Sequence, residues 1–195
     1  AREALSEAGA NFRAVSLPAT IEAGLPCYYI LAPAEASSNL ARYDGVRWGL
    51  SVEASHLMEL YTRTRGEGFG AEVKRRILTG TYVLSSGYYD AYYLVAQKAR
   101  TLISREFAEA FGKVDMLLMP TTPTLAFKLG ENLKDPIQMY MSDVFTLPVN
   151  LASLPGLSLN TGYSAGGLPV GVQFVAPRWK EETLLRAAKA VEESL

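Results

Sequence analysis

A single cysteine and a single histidine stand among 195 residues. One cysteine, Cys27, cannot close an intrachain disulfide, and no Cys/His spacing for zinc exists. Its plainest role is that of a small buried side chain, and so little cysteine suits a cytosolic protein. The one histidine, His56, lies between Ser55 and Leu57 with no nucleophile elbow nearby. A Ser-His-Asp triad therefore has no base to draw on, and a surface or packing role is expected of His56. The acids are scattered, which gives no metal-ligand set. Neither a GxxxxGK[ST] run nor a GxGxxG after a strand occurs. No stretch approaches the ~20 apolar residues that span a bilayer. Charge of one sign is missing too: 19 Lys and Arg against 20 Asp and Glu leave a net charge of -1. The average surface is not that of a dedicated nucleic-acid-binding domain. The first residues, AREALSEAGANF, hold no apolar run and are no signal peptide. They read as a helix entered midway, in a chain cut from a longer one.

What is present is hydrophobic, 49% of the residues, enough to bury a real core at this length. Residues 1–9 read as a helix end closed by Gly9. Asn11–Leu17 alternates loosely and predicts a strand stopped by Pro18. Residues 21–40 are helical in character despite Pro26 and Pro33, and 43–50 form a glycine-punctuated loop. Residues 51–65 predict a helix capped by Ser51, with Ala54, Leu57, Met58, Leu60 and Tyr61 as its stripe. Two further helices are expected over 71–89 and 91–111, the first weakened by Gly80 and Gly87 at about 1 kcal/mol each relative to Ala. Short apolar runs at 115–119, 157–161 and 170–175 read as strands buried on both faces. The stretch 121–160 is otherwise loop-rich. Residues 180–195 form an amphipathic helix on which Leu184, Ala188, Val191 and Leu195 share a face. Helices alternating with these three strands and the one at 11–17 predict an α/β layered fold, a piece of a larger sheet.

Three places carry possible chemistry. Only six charged side chains fall within residues 115–175: Asp115, Lys128, Glu131, Lys134, Asp135 and Asp143. Asp143 lies in the apolar run MYMSDVFTLPVNLASLPG, where a carboxylate is expensive to bury without a partner. It either caps nearby backbone N–H groups or holds a ligand's ammonium. The run VKRRILTGTY sets Lys74, Arg75 and Arg76 in succession, and on a helix these point about 100° apart. Arg76 either pairs with Glu72 at i−4 or turns inward to grip a carboxylate through two parallel hydrogen bonds. In YDGVR, Asp44 is expected to tie down backbone. Tyr28 and Tyr29 are either core residues with hydroxyls at a polar edge or donors of a phenol to a ligand.

Several segments together carry a resemblance. YYILAPAEASSNLARYDGVRWG (28–49), EGFGAEVKRRI (67–77), SSGYYDAYYLVAQKARTLI (85–103), MPTTPTLAF (119–127), MYMSDVFTLPVNLASLPGLSLNTG (139–162) and GLPVGVQFVAP (167–177) resemble the A-subunit family of tRNA-dependent amidotransferases. The last two are shared with amidase-signature enzymes generally, whereas ARYDGVR and EGFGAEVKRRI point to the A subunits. The resemblance implies the C-terminal part of the amidase-signature fold, a mixed β-sheet flanked by helices, with residues 1–195 part of a single amidase domain. It implies a glutaminase that supplies ammonia for transamidation of Glu-tRNA(Gln) or Asp-tRNA(Asn). A B subunit would use ATP and Mg, a C subunit would brace the A–B pair, and no cofactor would sit in this chain. The family's Ser–cis-Ser–Lys triad would lie upstream, so Ser85, Ser86, Ser153 and Ser158 are not expected to be nucleophiles, and the chain alone is expected to be inactive.

Residue by residue, Arg76 matches the arginine that grips the glutamine α-carboxylate. Asp143 matches the aspartate that holds the α-ammonium. One of the YY pair, Tyr28 in preference to Tyr29, matches an aromatic lining the pocket. Two rival readings remain: part of another amidase-signature hydrolase acting on a simpler amide, or a stand-alone binding or assembly module.

Overall fold

The structure, a computed structural model, describes residues 1–131 and 136–194. The described chain divides into two compact units, Ala1–Leu25 with Ala99–Leu195, and Pro26–Lys98.

In the first unit, helix α1 (Arg2–Glu7) ends where Gly9 takes φ 91°. The Ala10 N–H reaches the Leu5 carbonyl at 2.8 Å and the Gly9 N–H reaches that of Ser6 at 3.0 Å. This is the Schellman closure that a left-handed glycine permits. Residues 11–17 form no strand, contrary to the expectation from their alternation. Strand status requires a hydrogen-bonded partner strand, and among the described residues this mostly exposed segment pairs with none: Asn11–Val15 and Lys113–Leu118 instead border a groove of about 730 Å³. Pro18 does not stop a strand but opens helix α2 (Pro18–Asn39), as suits a residue with no N–H to leave unpaired in a first turn.

The sheet of this unit has three strands, β1 (Leu117–Pro120), β2 (Gly156–Tyr163) and β3 (Pro169–Val175). Their order is β1-β3-β2, and β3 pairs antiparallel with both neighbours. Val175 stands opposite Leu117 on one side and Gly156 on the other. The expectation of strands buried on both faces fails for most of the sheet. Only Gln173, Phe174 and Val175 of β3 are consecutively buried, while β2 alternates between exposed and half-buried residues. An antiparallel strand with one solvated face does this. Helix α8 (Glu181–Glu192) lies against β2 and β3 and against α1. Its Leu184 and Val191 join Leu5, Phe174 and Ala176 in the core. Leu184, Ala188 and Val191 are buried as the periodicity predicts; Leu195 lies outside the described residues.

The region read as loop-rich contains two short helices, α6 (Pro136–Met141) and α7 (Leu147–Leu151). Lys134 and Asp135 lie outside the described residues. Helix α5 (Leu94–Phe111) buries Ile103 and Phe107 in the first unit.

The second unit carries α3 (Leu57–Gly68) and α4 (Ala71–Val83). Helix α3 starts six residues after Ser51, because His56 and not Ser51 is the cap: its Nδ1 accepts the Glu59 N–H at 3.2 Å. The Glu59 carboxylate answers by accepting from the Ser55 N–H and hydroxyl at 2.9 and 2.6 Å, a variant of the reciprocal capping box. The stripe expected of this helix is not a core face: Leu57 and Met58 are exposed, and the buried residue is Thr64. Helix α4 ends at Val83, before Gly87 takes φ 87°. A π-turn over Tyr89–Tyr93 then leads into α5. Cys27 is buried, its thiol donating to the Ala96 carbonyl at 3.2 Å.

Candidate functional site

In the second unit the candidate residues come from α2 and α4. Gly80 is buried, and a Cβ there would overlap the Pro33 carbonyl oxygen of α2. Only a residue without a side chain permits this approach. Arg76 stands one turn before Gly80 and so shares its face. Tyr28 and Tyr29 lie about one turn before Pro33, both half-buried, their rings edge to face at 5.5 Å.

The Arg76 guanidinium donates through Nε to Glu72 Oε1 at 3.0 Å. The other carboxylate oxygen of Glu72 accepts from Arg75 at 2.7 Å. Glu72's hydrogen bond holds the Arg76 pKa above its ordinary value; partial burial opposes this, and Tyr28 and Tyr29 add to it within electrostatic reach. Of the two alternatives for Arg76, the pairing with Glu72 is the one observed. Arg76 is itself half-buried. Arg75, by contrast, is exposed. The surrounding loop is tied as its sequence suggests: Asp44 accepts the Val46 N–H at 2.9 Å. Less legible is Arg65, which donates to the Leu40 and Tyr43 carbonyls at 2.9 and 3.0 Å and stacks on Phe69.

Asp143 lies in the first unit, half-buried, on the turn between α6 and α7. Its main-chain carbonyl accepts the Thr146 and Leu147 N–H groups, both at 3.0 Å, so it opens α7 through its backbone. Three side chains fix the segment that follows. Buried Gln173 donates to the Phe145 carbonyl at 3.1 Å. Arg100 donates to the Leu151 carbonyl at 2.9 Å, and Arg178 to those of Ala152 and Ser153 at 3.0 and 3.2 Å. The last carbonyls of a helix lack intrahelical donors, and these two arginines supply them. The sequence gives no local sign of these clamps, since Gln173 and Arg100 act over 28 and 51 residues.

Beside this turn a groove of about 530 Å³ is lined by the Pro120–Phe127 loop, Ser142, Asn160 and Gly171. The Thr121 and Ser158 hydroxyls meet there at 2.7 Å. Ser158 therefore faces a hydroxyl and not a base, and Ser85 donates to the Tyr82 carbonyl. Neither geometry is that of an activated nucleophile. Among the described residues, no helix is long and apolar enough to cross a membrane.

Comparison with known proteins gives this geometry a context. The amidase family model matches residues 1–185. The chain is 59% identical over 192 residues to the A subunit of the Parvibaculum lavamentivorans glutamyl-tRNA(Gln) amidotransferase, covering 98% of this chain and 39% of that protein. Its identity to the corresponding A subunit of Synechococcus elongatus is 57% over 195 residues, covering 100% and 40%. The chain thus spans about two fifths of the length of these curated relatives. Among solved structures, the A subunit of the Thermotoga maritima glutamyl-tRNA(Gln) amidotransferase superposes with a TM-score of 0.69 at 40% identity, over 98% of this chain and 36% of that one. An amidase crystal structure superposes at 0.70 with 25% identity, over 99% and 40%. With a family match over nearly all of its length, a small sheet flanked by helices and these superpositions, the chain belongs to the amidase family.

Proposed function

We propose that this chain is part of a glutaminase subunit that releases ammonia for ATP-dependent transamidation of Glu-tRNA(Gln) or Asp-tRNA(Asn). The observation that carries this reading is the 59% identity to the A subunit of an amidotransferase over 98% of the chain. Identity to the amidase of equally similar fold is 25%. In this reading residues 1–195 form part of one amidase domain and contribute substrate binding, while a Ser–cis-Ser–Lys triad elsewhere in the protein supplies the nucleophile. Arg76 receives the α-carboxylate of glutamine, because a planar fork of N–H donors matches a carboxylate in two parallel bonds. Tyr28 lines the same corner. Asp143 receives the α-ammonium, a charge-assisted partner on a turn that Gln173 anchors. The protein works in the cytoplasm with a B subunit, which uses ATP and Mg on the misacylated tRNA, and with a C subunit.

The test is substrate choice by the full-length protein. Glutamine should be hydrolysed with a kcat/KM at least about 100-fold above that of simple amides without α-charges, the combined effect of two charge-assisted contacts of about 1.5–3 kcal/mol each. Equal or greater efficiency on a simple aliphatic or aryl amide would replace this reading with that of a general amide hydrolase.

A further inference from the structure

From this geometry we infer that Glu72 is a positioning residue for substrate recognition: with Arg75 it locks the Arg76 guanidinium so that its terminal N–H pair is presented to a ligand carboxylate. The inference rests on the proposed role of Arg76 in binding glutamine and adds a residue to it. An arginine side chain loses up to about 2 kcal/mol of rotamer freedom when it is fixed. A binding site that fixes it beforehand spares the ligand that cost. Glu72 takes the Nε donor of Arg76 at 3.0 Å. The opposite edge of the fork, formed by the two terminal nitrogens, can donate to a carboxylate in two parallel bonds.

A bare carboxylate beside Arg76 would repel an incoming carboxylate and cancel the cation. Arg75 removes that objection, since it holds the second oxygen of Glu72 at 2.7 Å. The trio Arg75–Glu72–Arg76 keeps one net positive charge. This accounts for the order of the residues in EVKRR: the acid one turn before Arg76 reaches both arginines, at i+3 and i+4. The geometry also separates the two arginines. Arg75 is the more solvent-exposed of the pair, and Arg76 lies within electrostatic reach of Tyr28 and Tyr29.

The experiment is a double-mutant cycle in the full-length protein within its amidotransferase complex. Glu72→Ala should raise KM for glutamine about 10-fold, with kcat and the rate with free ammonia unchanged within about twofold. Glu72→Gln keeps an oxygen for the Nε donor and should restore most of the loss. Added to Arg76→Ala, Glu72→Ala should bring no further rise, because its effect passes through that guanidinium. If Glu72→Ala leaves KM unchanged while Arg76→Ala raises it, the positioning role is wrong and the role of Arg76 stands. A KM that Arg76→Ala does not move overturns both. Parallel losses in the glutamine and ammonia reactions with Glu72→Ala would mark Glu72 as a fold residue and overturn the inference.

Discussion

Gly80 of α4 lies so close to the Pro33 carbonyl of α2 that a single methyl group would overlap that oxygen. The same face carries Arg76 one turn earlier, so this contact fixes how closely that face of α4 approaches α2. Gly80→Ala tests it. Helix propensity alone favours Ala by about 1 kcal/mol, but overpacking against backbone costs about 1–3 kcal/mol. The variant should melt at a lower temperature than the parent, measured by circular dichroism. A raised melting temperature would show that the two helices do not approach in this way.

Glu106 caps α2 from a distance. Its two carboxylate oxygens accept the Ala19 and Thr20 N–H groups at 3.0 and 2.7 Å, two donors that the first turn of a helix leaves open. Glu106→Ala should lower stability by about 0.5–2 kcal/mol. Amide hydrogen exchange should quicken first at Ala19 and Thr20. Unchanged exchange at both would remove the cap.

The Glu59 cap predicts a pH dependence. The Ser55 hydroxyl, followed by the Ser55 N–H, holds the Glu59 carboxyl below the usual carboxylate range, against some desolvation and with help from Arg63. A carboxylate whose folded pKa is depressed stabilises the fold above its unfolded pKa, and that contribution fades as pH falls through the folded value. NMR titration should find Glu59 below an ordinary glutamate, and Ser55→Ala should move it upward. A titration that ignores Ser55→Ala would contradict this.

Gln173 joins the sheet to the turn bearing Asp143. Gln173→Leu removes the donor to the Phe145 carbonyl in a buried place, at a cost of about 1–3 kcal/mol. In the full-length protein it should also raise KM for glutamine more than it lowers kcat. A loss of stability with an unchanged KM would confine Gln173 to the fold.

What can be read from the sequence is local. The Gly9 closure, the buried face of α8 and the i−4 acid beside Arg76 each depend on residues within a turn or two. What cannot be read is non-local. Residues 11–17 have the alternation of a strand, but whether they pair depends on an edge that the sequence does not display. The start of α3 escapes a reading by composition because serine is the commoner cap, whereas here His56 fills that position. The clamps on the Asp143 turn come from Arg100, Gln173 and Arg178, whose partners are named by the fold and not by spacing. Arg76 and Asp143 stand out as odd charges in their surroundings, Tyr28 does not, and the roles proposed for all three come from resemblance.

The most direct test of the proposed function is the pair of rates, glutamine-dependent and ammonia-dependent, measured for Arg76→Ala and Asp143→Asn in the full-length protein within its complex. Each lost charge-assisted hydrogen bond should raise KM for glutamine by roughly 10- to 100-fold. Free ammonia needs neither charge, so the ammonia-dependent rate should survive both changes. Arg76→Lys should fail to restore KM, since an ammonium cannot reproduce the planar fork. Equal losses in both reactions, with a lowered melting temperature, would return Arg76 and Asp143 to the scaffold and contradict the account.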